Sequence, residues 1–252
     1  MKKNMEVHQA IKKIRENRPL VHHITNFVVA NATANFTLAL GASPIMASSK
    51  DEVAEIACLA EVLVLNIGTI TTEQFESMKI AARIMKDRSK NVVLDPVGVG
   101  VSRFRYNIVE YFLKEELIDV VKGNYSEIMV LSGLPHKAKG VDSLEKNIAI
   151  VNDAAVKLSN TYRCIFAATG EIDIICNSKN VQKLEGGNKI MQYITGTGCI
   201  ATSSVGVFLS IFSPYEATIY GLNLLKIVAS KIDATGPADF YNKLIDTIYS
   251  IN

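Results

Sequence analysis

Short apolar segments rich in valine and leucine alternate with segments of helical periodicity, and this alternation constrains the fold more than any other feature. Residues 61–67, 91–94 and 164–168 are such apolar segments, and residues 72–86 carry the spacing of an amphipathic helix. Strands that alternate with helices form parallel sheets covered by helices on both faces. The sequence therefore predicts an α/β fold with a mostly parallel central sheet flanked by helices. Because no linker, repeat or low-complexity segment interrupts the pattern, residues 1–252 are expected to form a single domain.

Further elements are predicted by the same patterns. Helices are expected at residues 3–16, 31–40, 50–59, 105–114, 126–131 and 143–158, and over most of 200–251 with breaks at the prolines. Strands are expected at residues 19–24, 43–46 and 118–121, and an antiparallel pair at 172–176 and 181–184.

The overall charge excludes a strong bulk attraction to nucleic acid or to an anionic membrane. There are 27 Lys and Arg against 25 Asp and Glu, a net charge of +2. The start of the chain is polar, and the longest apolar run, at 200–212, contains threonine and serine. A cytoplasmic protein without nucleic-acid or membrane partners is expected.

Three of the four cysteines, Cys58, Cys164 and Cys176, lie in neither a C-x-x-C motif nor zinc-ligand spacing with histidine. They are predicted to be reduced, buried thiols that pack as small hydrophobic residues.

Polar and glycine-containing segments follow several of the predicted strands. They occupy residues 22–26, 66–69, 95–100, 122–127, 169–171 and 195–199. In sheets of this kind, ligands bind beyond the carboxyl ends of the strands. Random placement would scatter such segments over both edges, so their convergence predicts a binding site at one edge.

The last of these segments, Thr-Gly-Thr-Gly-Cys at 195–199, leads directly into the apolar run at 200–212. Glycines allow the backbone to approach a ligand closely, and a helix start offers free N–H groups and a positive dipole end to an anion. A phosphate site is therefore predicted here. Cys199 has three interpretations: a small capping residue, a nucleophile with a depressed pKa, or a neighbour of an acceptor hydroxyl that assists its deprotonation.

The sequence contains no G-x-x-x-x-G-K-[ST] loop, no G-x-G-x-x-G after the first strand and no G-x-S-x-G motif. The remaining parts suit phosphoryl transfer, which needs an anion site, carboxylates for Mg²⁺ and a group near the acceptor hydroxyl. Asp95, before Pro96 at a strand end, is either a turn-forming residue or a Mg²⁺ ligand. Glu127 either completes a capping box with Asn124 or belongs to a metal site.

Four other polar residues have both a structural and a functional interpretation. Lys122 is either a solvated surface lysine or a phosphate contact. Thr169 is either a turn residue or a hydroxyl that faces nucleotide phosphates. His22 and His23 end a strand, where such a pair more often packs or forms hydrogen bonds than catalyses, and the sequence does not place either beside Cys199.

Eight motifs, in this order, resemble the hydroxyethylthiazole kinase family of the ribokinase-like superfamily. They are 23–26 (HITN), 40–47 (LGASPIMA), 66–69 (NIGT), 94–98 (LDPVG), 123–127 (GNYSE), 139–143 (KGVDS), 168–171 (ATGE) and 195–199 (TGTGC). The resemblance covers nearly the whole chain, from about residue 19 to the C-terminal helix. It implies a ribokinase-like fold and ATP-dependent phosphorylation of 4-methyl-5-(2-hydroxyethyl)thiazole in thiamine salvage. It also implies Mg²⁺ as cofactor and a homotrimer with thiazole sites between subunits.

The resemblance also implies roles for individual residues on the substrate side. Cys199 corresponds to the catalytic residue at the substrate hydroxyl, and the N–H groups of residues 196–199 to an anion site. Met46 and Gly196 fall at substrate-binding positions, and Asn26 is expected near the thiazole ring.

On the nucleotide side, Lys122 and Thr169 fall at ATP-binding positions, and Asp95 and Glu127 correspond to the acidic pair around Mg²⁺. Relatives commonly carry arginine where this chain has Lys122, so the charge is kept but the planar two-donor fork is lost. Residues 236–240 also depart from the usual pattern, which affects only a minor contact.

Three alternative functions stay open on the sequence. A kinase of the same fold could act on a pyrimidine or sugar alcohol. Cys199 could be the nucleophile of an acyl-transfer hydrolase, which would need a base partner. The chain could also bind thiazole or nucleotide without catalysis.

Overall fold

A computed structural model describes residues 2–133 and 144–251. The strands are β1 (Leu20–Ile24), β2 (Ser43–Ile45), β3 (Val62–Asn66), β4 (Asn91–Asp95), β5 (Val120–Asn124), β6 (Ile165–Thr169), β7 (Asp173–Cys176) and β8 (Val181–Leu184). The helices are α1 (Lys2–Asn17), α2 (Ala30–Leu40), α3 (Val53–Leu59), α4 (Thr72–Asp87), α5 (Arg103–Lys114), α6 (Tyr125–Leu131), α7 (Leu144–Tyr162), α8 (Thr197–Leu209), α9 (Pro214–Lys231) and α10 (Pro237–Ser250), with a 3₁₀ helix at Lys189–Tyr193.

The eight strands form one sheet in the order β2-β1-β3-β4-β5-β6-β7-β8. The pairs from β2 to β6 are parallel, and β7 and β8 add an antiparallel edge. The prediction of a mostly parallel sheet with one antiparallel pair is therefore confirmed. The parallel order brings the carboxyl ends of β1, β3, β4, β5 and β6 to one edge.

Apolar side chains cover both faces of the sheet, which explains why the central strands are short runs of aliphatic residues. On β3, Val62 and Val64 pack into one core cluster, with side chains from α1, α2, α8, α9 and α10. Leu63 and Leu65 pack into the other, with side chains from α3 to α7. Helices therefore flank both faces, as predicted.

Most element boundaries agree with the sequence patterns, and β5 and α8 differ. Strand β5 begins at Val120, two residues later than predicted, although the backbone of Asp119 still bonds to Val92 (3.0 Å) and Ile165 (2.9 Å) and its carboxylate accepts the N–H of Val92 (2.7 Å). Helix α8 begins at Thr197, three residues earlier than predicted. The predicted helix start at residue 143 and the motif at 139–143 lie outside the described residues.

The burial prediction for the cysteines is correct at two positions and wrong at one. Cys164 and Cys176 are buried, and burial raises the pKa of these thiols to about 12 and about 11. Cys58 is exposed, because α3 buries Val53 and Ala57 and turns Cys58 to the opposite side.

Within residues 2–133 and 144–251, no helix has both the length and the hydropathy needed to span a membrane.

Candidate active site

Helix α8 begins at the polar edge of the sheet, with a first turn that has no side-chain cap. Gly196 is the N-cap residue and has a left-handed backbone (φ 94°), and a Cβ there would lie 2.7 Å from Cγ1 of Val29. The first intrahelical bond runs from the N–H of Ile200 to the carbonyl of Gly196 (2.8 Å). The N–H groups of the preceding helical residues, 197–199, therefore have no acceptor within the helix, and together with the dipole they suit an anion. We call these three N–H groups the anion site.

The thiol of Cys199 lies among amide donors. Nδ2 of Asn66 is 3.1 Å from its Sγ atom, and Nδ2 of Asn26 is 3.8 Å away. Burial, followed by the negative charge of Asp95, raises the pKa of the Cys199 thiol above its ordinary value. A neutral thiol is a poor nucleophile, so the structure argues against the interpretation of Cys199 as an activated nucleophile.

A buried ion pair lies directly behind the anion site. Oδ2 of Asp95 accepts hydrogen bonds from Thr202 Oγ1 (2.6 Å), Lys122 Nζ (3.3 Å) and Asn66 Nδ2 (3.3 Å). Nζ of Lys122 also donates to the carbonyl of Gly198 (2.9 Å). The side chains of Asp95 and Lys122 are 1% and 3% exposed. The interpretation of Lys122 as a solvated surface residue is therefore wrong, because β5 turns its side chain under α8.

The electrostatics of this pair favour the charged lysine. Burial works against the ammonium, but the negative charges of Asp95 and Glu127 raise the pKa of Lys122 above its usual range. Burial raises the pKa of Asp95, whereas Lys122 and Thr202 oppose its protonation. Since three donors converge on one carboxylate oxygen, the ionised form is the one that these hydrogen bonds stabilise.

Glu127 completes a capping box at the start of α6, as one interpretation of the sequence predicts. Its N–H donates to Asn124 Oδ1 (2.9 Å), and its Oε2 accepts the N–H of Asn124 (2.7 Å). Its Oε1 accepts the N–H of Gly98 (3.0 Å), which ties the turn after β4 to α6. Within the described part of the chain, no group of three His, Cys, Asp or Glu side chains is arranged to hold a metal.

Two cavities lie at the same edge of the sheet as Cys199. The first, of about 510 Å³, is lined by residues that include His23, Thr25, Phe27 and Met46. The second, of about 540 Å³, is lined by residues that include Thr169, Gly170, Thr197 and Gly198. Cys199 itself lines neither cavity. Its chain neighbour Gly198 lines the second, and Asn26, whose amide contacts the Cys199 thiol, lies in the chain between Thr25 and Phe27 of the first.

The two histidines are neutral and each has one nitrogen in a hydrogen bond. His22 Nε2 donates to the carbonyl of Ala47 (2.7 Å), next to Met46. His23 Nε2 donates to Oγ1 of Thr37 (3.2 Å), whose own hydrogen goes to the carbonyl of Thr33 (2.8 Å). Among the hydrogen bonds of the described residues, neither histidine contacts Cys199, so these two residues supply no base partner for a nucleophilic thiol.

His23 is expected to make the protein less stable as the pH falls. Burial, followed by the proximity of His22, lowers the pKa of His23 to about 3, while an unfolded histidine titrates near 6.5. Between these values the unfolded state binds the extra proton, so stability is lost below pH 6.5, by about 2 kcal/mol at pH 5. In urea unfolding at pH 7 and pH 5, a His23→Gln variant should lose about 2 kcal/mol less than the wild type. Equal losses in the two proteins would contradict the prediction.

The structure brings several predicted site residues together and separates others. Asp95, Lys122 and the residues around Cys199 form one connected cluster, and Thr169 lines the second cavity, where its hydroxyl donates to the carbonyl of Gly123 (3.2 Å). Met46 is separated from this cluster, because it lines the first cavity.

Asn66 and Thr202 belong to the cluster but receive no role from the sequence. Asn66 bridges Asp95 and Cys199, and Thr202 donates to Asp95. Each is a polar residue at the end of, or inside, an apolar segment. Thr202 follows Cys199 by three residues, so both lie on the same helix face, and that spacing is the signal that could have found it.

The mostly parallel eight-stranded sheet, with helices on both faces, defines the class of this protein as an α/β fold of the ribokinase-like type. The chain is similar to a ribokinase-like superfamily protein from Enterococcus faecalis, with a TM-score of 0.64 and 15% identity over 94% of this chain and 89% of that one. At this identity, the similarity shows the fold alone.

The family follows from closer similarities. The model of the hydroxyethylthiazole kinase family matches residues 11–252. Hydroxyethylthiazole kinase from Pyrococcus horikoshii is 39% identical over 97% of this chain and 92% of the relative. The solved structure of that kinase superimposes with a TM-score of 0.90, covering 98% of this chain and 94% of the other. The chain belongs to the hydroxyethylthiazole kinase family.

Proposed function

We propose that the protein transfers the γ-phosphoryl group of ATP to the primary hydroxyl of 4-methyl-5-(2-hydroxyethyl)thiazole, giving the thiazole phosphate and ADP in thiamine salvage. The observation that carries this proposal is the anion site beside Cys199. Thr197 and Gly198 of this site line the second cavity, and Asn26 links the Cys199 thiol to residues of the first, which suits a donor and an acceptor that must meet end to end. Membership of the family supports the choice of a kinase and of ATP as donor.

The second cavity is assigned to ATP and the first to the thiazole. Thr169 and Gly198 line the second cavity, and the anion site opens beside them, so the phosphates of a nucleotide bound there would reach the start of α8. Met46 and Phe27 give the first cavity an apolar wall of the kind that a small heteroaromatic ring requires. Gly196 is proposed to contact the substrate between the two.

Catalysis is proposed to rest on positioning and charge stabilisation. The N–H groups of residues 197–199 would stabilise the negative charge on the phosphoryl group during in-line transfer. Lys122 holds the carbonyl of Gly198 and neutralises Asp95, so the anion site keeps its shape and a net positive character. Cys199 is proposed as the catalytic residue beside the acceptor hydroxyl, which its neutral thiol orients by hydrogen bonding. The proton of the hydroxyl would pass to an oxygen of the transferred phosphoryl group as the new P–O bond forms.

The donor set fits a Mg²⁺ ion carried by the nucleotide phosphates. Mg²⁺ retains waters and takes one or two carboxylates together with phosphate oxygens, whereas a dedicated protein cage would need more ligands. Asp95 and Glu127 supply two carboxylates, and both already accept hydrogen bonds from the protein. We propose that these two residues hold the ion, in part through its waters. When bound, Mg²⁺ would neutralise phosphate charge.

A homotrimer of single-domain chains acting in the cytoplasm is part of the same proposal. Phe27, which lines the first cavity, is 80% exposed, its chain neighbour Val28 is 57% exposed, and Leu38 is 57% exposed on α2. Apolar residues left exposed next to a ligand cavity are typical of a surface that a second copy covers. Light scattering coupled to size-exclusion chromatography would measure the mass of the protein in solution, and the mass of a monomer would contradict the proposed trimer.

The function is tested by ADP release in the presence of the thiazole alcohol, ATP and Mg²⁺. ADP should appear only when all three are present, and substitution of a pyrimidine alcohol should lower kcat/KM. Faster turnover of the pyrimidine alcohol would assign a different substrate. Tight binding of ATP and thiazole without ADP release would show that the protein binds both ligands without catalysis, and would contradict the proposed kinase activity.

A further inference from the structure

A lysine on α9 holds the turn between β6 and β7 from inside the protein. The Lys226 ammonium donates to the carbonyls of Gly170 (2.7 Å) and Glu171 (3.0 Å) and lies 3.2 Å from Oδ1 of Asp173. Its side chain is 10% exposed and that of Asp173 is 5% exposed. An ammonium has three N–H donors, so all three are used on this one turn.

The backbone of the same residue holds a second segment. The carbonyl of Lys226 accepts the N–H of Gly187 (3.1 Å). Gly170, Asp173 and Gly187 all line the second cavity, as does Lys226 itself. One residue of α9 therefore joins the β6–β7 turn on one wall of the cavity to the segment around Gly187 on another.

Stabilisation of the fold is a weak explanation for the buried pair of Lys226 and Asp173. A buried ion pair loses much of its attraction to the cost of removing both charges from water, and apolar residues of similar volume often stabilise a fold equally well. The Asp173 carboxylate also accepts the N–H of Gly170 (3.0 Å), so the described side-chain bonds of the pair go to this turn or to the partner charge. The effect of the pair is to fix the path of the turn.

We propose that Lys226 is a positioning residue for the nucleotide, which holds the β6–β7 turn and the segment around Gly187 at the spacing that bound ATP requires. The ammonium does not contact the nucleotide, because its three donors are occupied by the protein. It acts through the backbone of the turn that follows Thr169. This inference rests on the assignment of the second cavity to ATP.

The test compares three variants with the wild type. Lys226→Met removes the three donors but keeps the length of the side chain, and it leaves Asp173 buried without its partner, which endangers folding. Lys226→Met combined with Asp173→Asn removes that unpaired charge, while the amide oxygen of asparagine can still accept the N–H of Gly170. Lys90→Met is the control, because Lys90 pairs with Glu61 at the opposite edge of the sheet.

In both Lys226 variants, KM for ATP and the Kd of ATP measured by calorimetry should rise about tenfold, with kcat and KM for the thiazole alcohol within about threefold of the wild type. Lys90→Met should leave all four constants unchanged. A normal Kd for ATP in the folded double variant, with only the melting temperature reduced, would show a purely structural role and overturn the inference. Failure of both Lys226 variants to fold would also show a structural role and overturn the inference. If the wild type itself does not bind ATP, the proposed function fails instead.

Discussion

Replacing Gly198 by proline lowers kcat about 100- to 1,000-fold, whereas replacing Cys199 by alanine lowers kcat about tenfold or less. Gly198 is the second residue of α8, and proline there removes one of the three N–H groups of the anion site. An N–H group aimed at developing phosphoryl charge stabilises the transition state more than the ground state, so its loss appears in kcat.

The smaller effect at Cys199 follows from the state of its thiol. Burial and the charge of Asp95 raise the pKa of Cys199, so the group is neutral at physiological pH. A neutral thiol cannot take up the proton of an alcohol, and the loose transition state of phosphoryl transfer requires little deprotonation of the acceptor before the bond forms. The thiol therefore contributes mainly by orienting the hydroxyl.

Two controls keep this comparison interpretable. Gly198→Ala keeps the N–H group, and its Cβ would lie 3.6 Å from Lys122 Nζ, an ordinary contact, so it separates crowding from loss of the donor. Cys58→Ala changes an exposed cysteine on α3 and should have wild-type kinetics. If Cys199→Ala costs as much in kcat as Gly198→Pro, with both proteins folded by circular dichroism, proton removal matters more than the anion site and the proposed ranking is wrong.

The fold could be predicted from the sequence because its main determinants are local. The aliphatic segment of β3 and the amphipathic segment of α4 carry their own periodicities, and their alternation allows few topologies. The cap at Thr71, which accepts the N–H of Gln74 (3.1 Å), depends on neighbouring residues and was also predictable. The exposure of Cys58 was not predictable, because it depends on which face of a short helix meets the sheet.

The location of the site was predictable for the same reason, but its contacts were not. Parallel strands bring their carboxyl ends to one edge, so the segments containing Asp95 and Lys122 were expected to meet there. Whether Lys122 points outward or under α8 depends on the strand register and on the packing of a helix that lies 76 positions further along the chain. The bridge made by Asn66 between Asp95 and Cys199 joins three elements and has no local pattern.

Replacing Lys122 by methionine is expected to lower kcat/KM about 100-fold and to destabilise the fold by about 3–5 kcal/mol. The activity falls because the carbonyl of Gly198 loses its tether and because Asp95, without its counter-charge, repels the incoming phosphates. The stability falls because a carboxylate with 1% exposure is left without its ionic partner. Steady-state kinetics and urea unfolding at pH 7 measure the two effects.

A second substitution separates the two effects at this position. In Lys122→Met combined with Asp95→Asn, the buried site carries no charge, and the amide oxygen can still accept the hydroxyl of Thr202. The unfolding free energy should return to within about 1 kcal/mol of the wild type, because replacing both partners of a buried pair costs far less than removing one. Activity should stay low, because the tether of Gly198 and the carboxylate proposed to hold Mg²⁺ are both gone. Near wild-type kcat/KM in the single variant, assayed well below its melting temperature, would show that Lys122 serves the fold and not the transfer of phosphate.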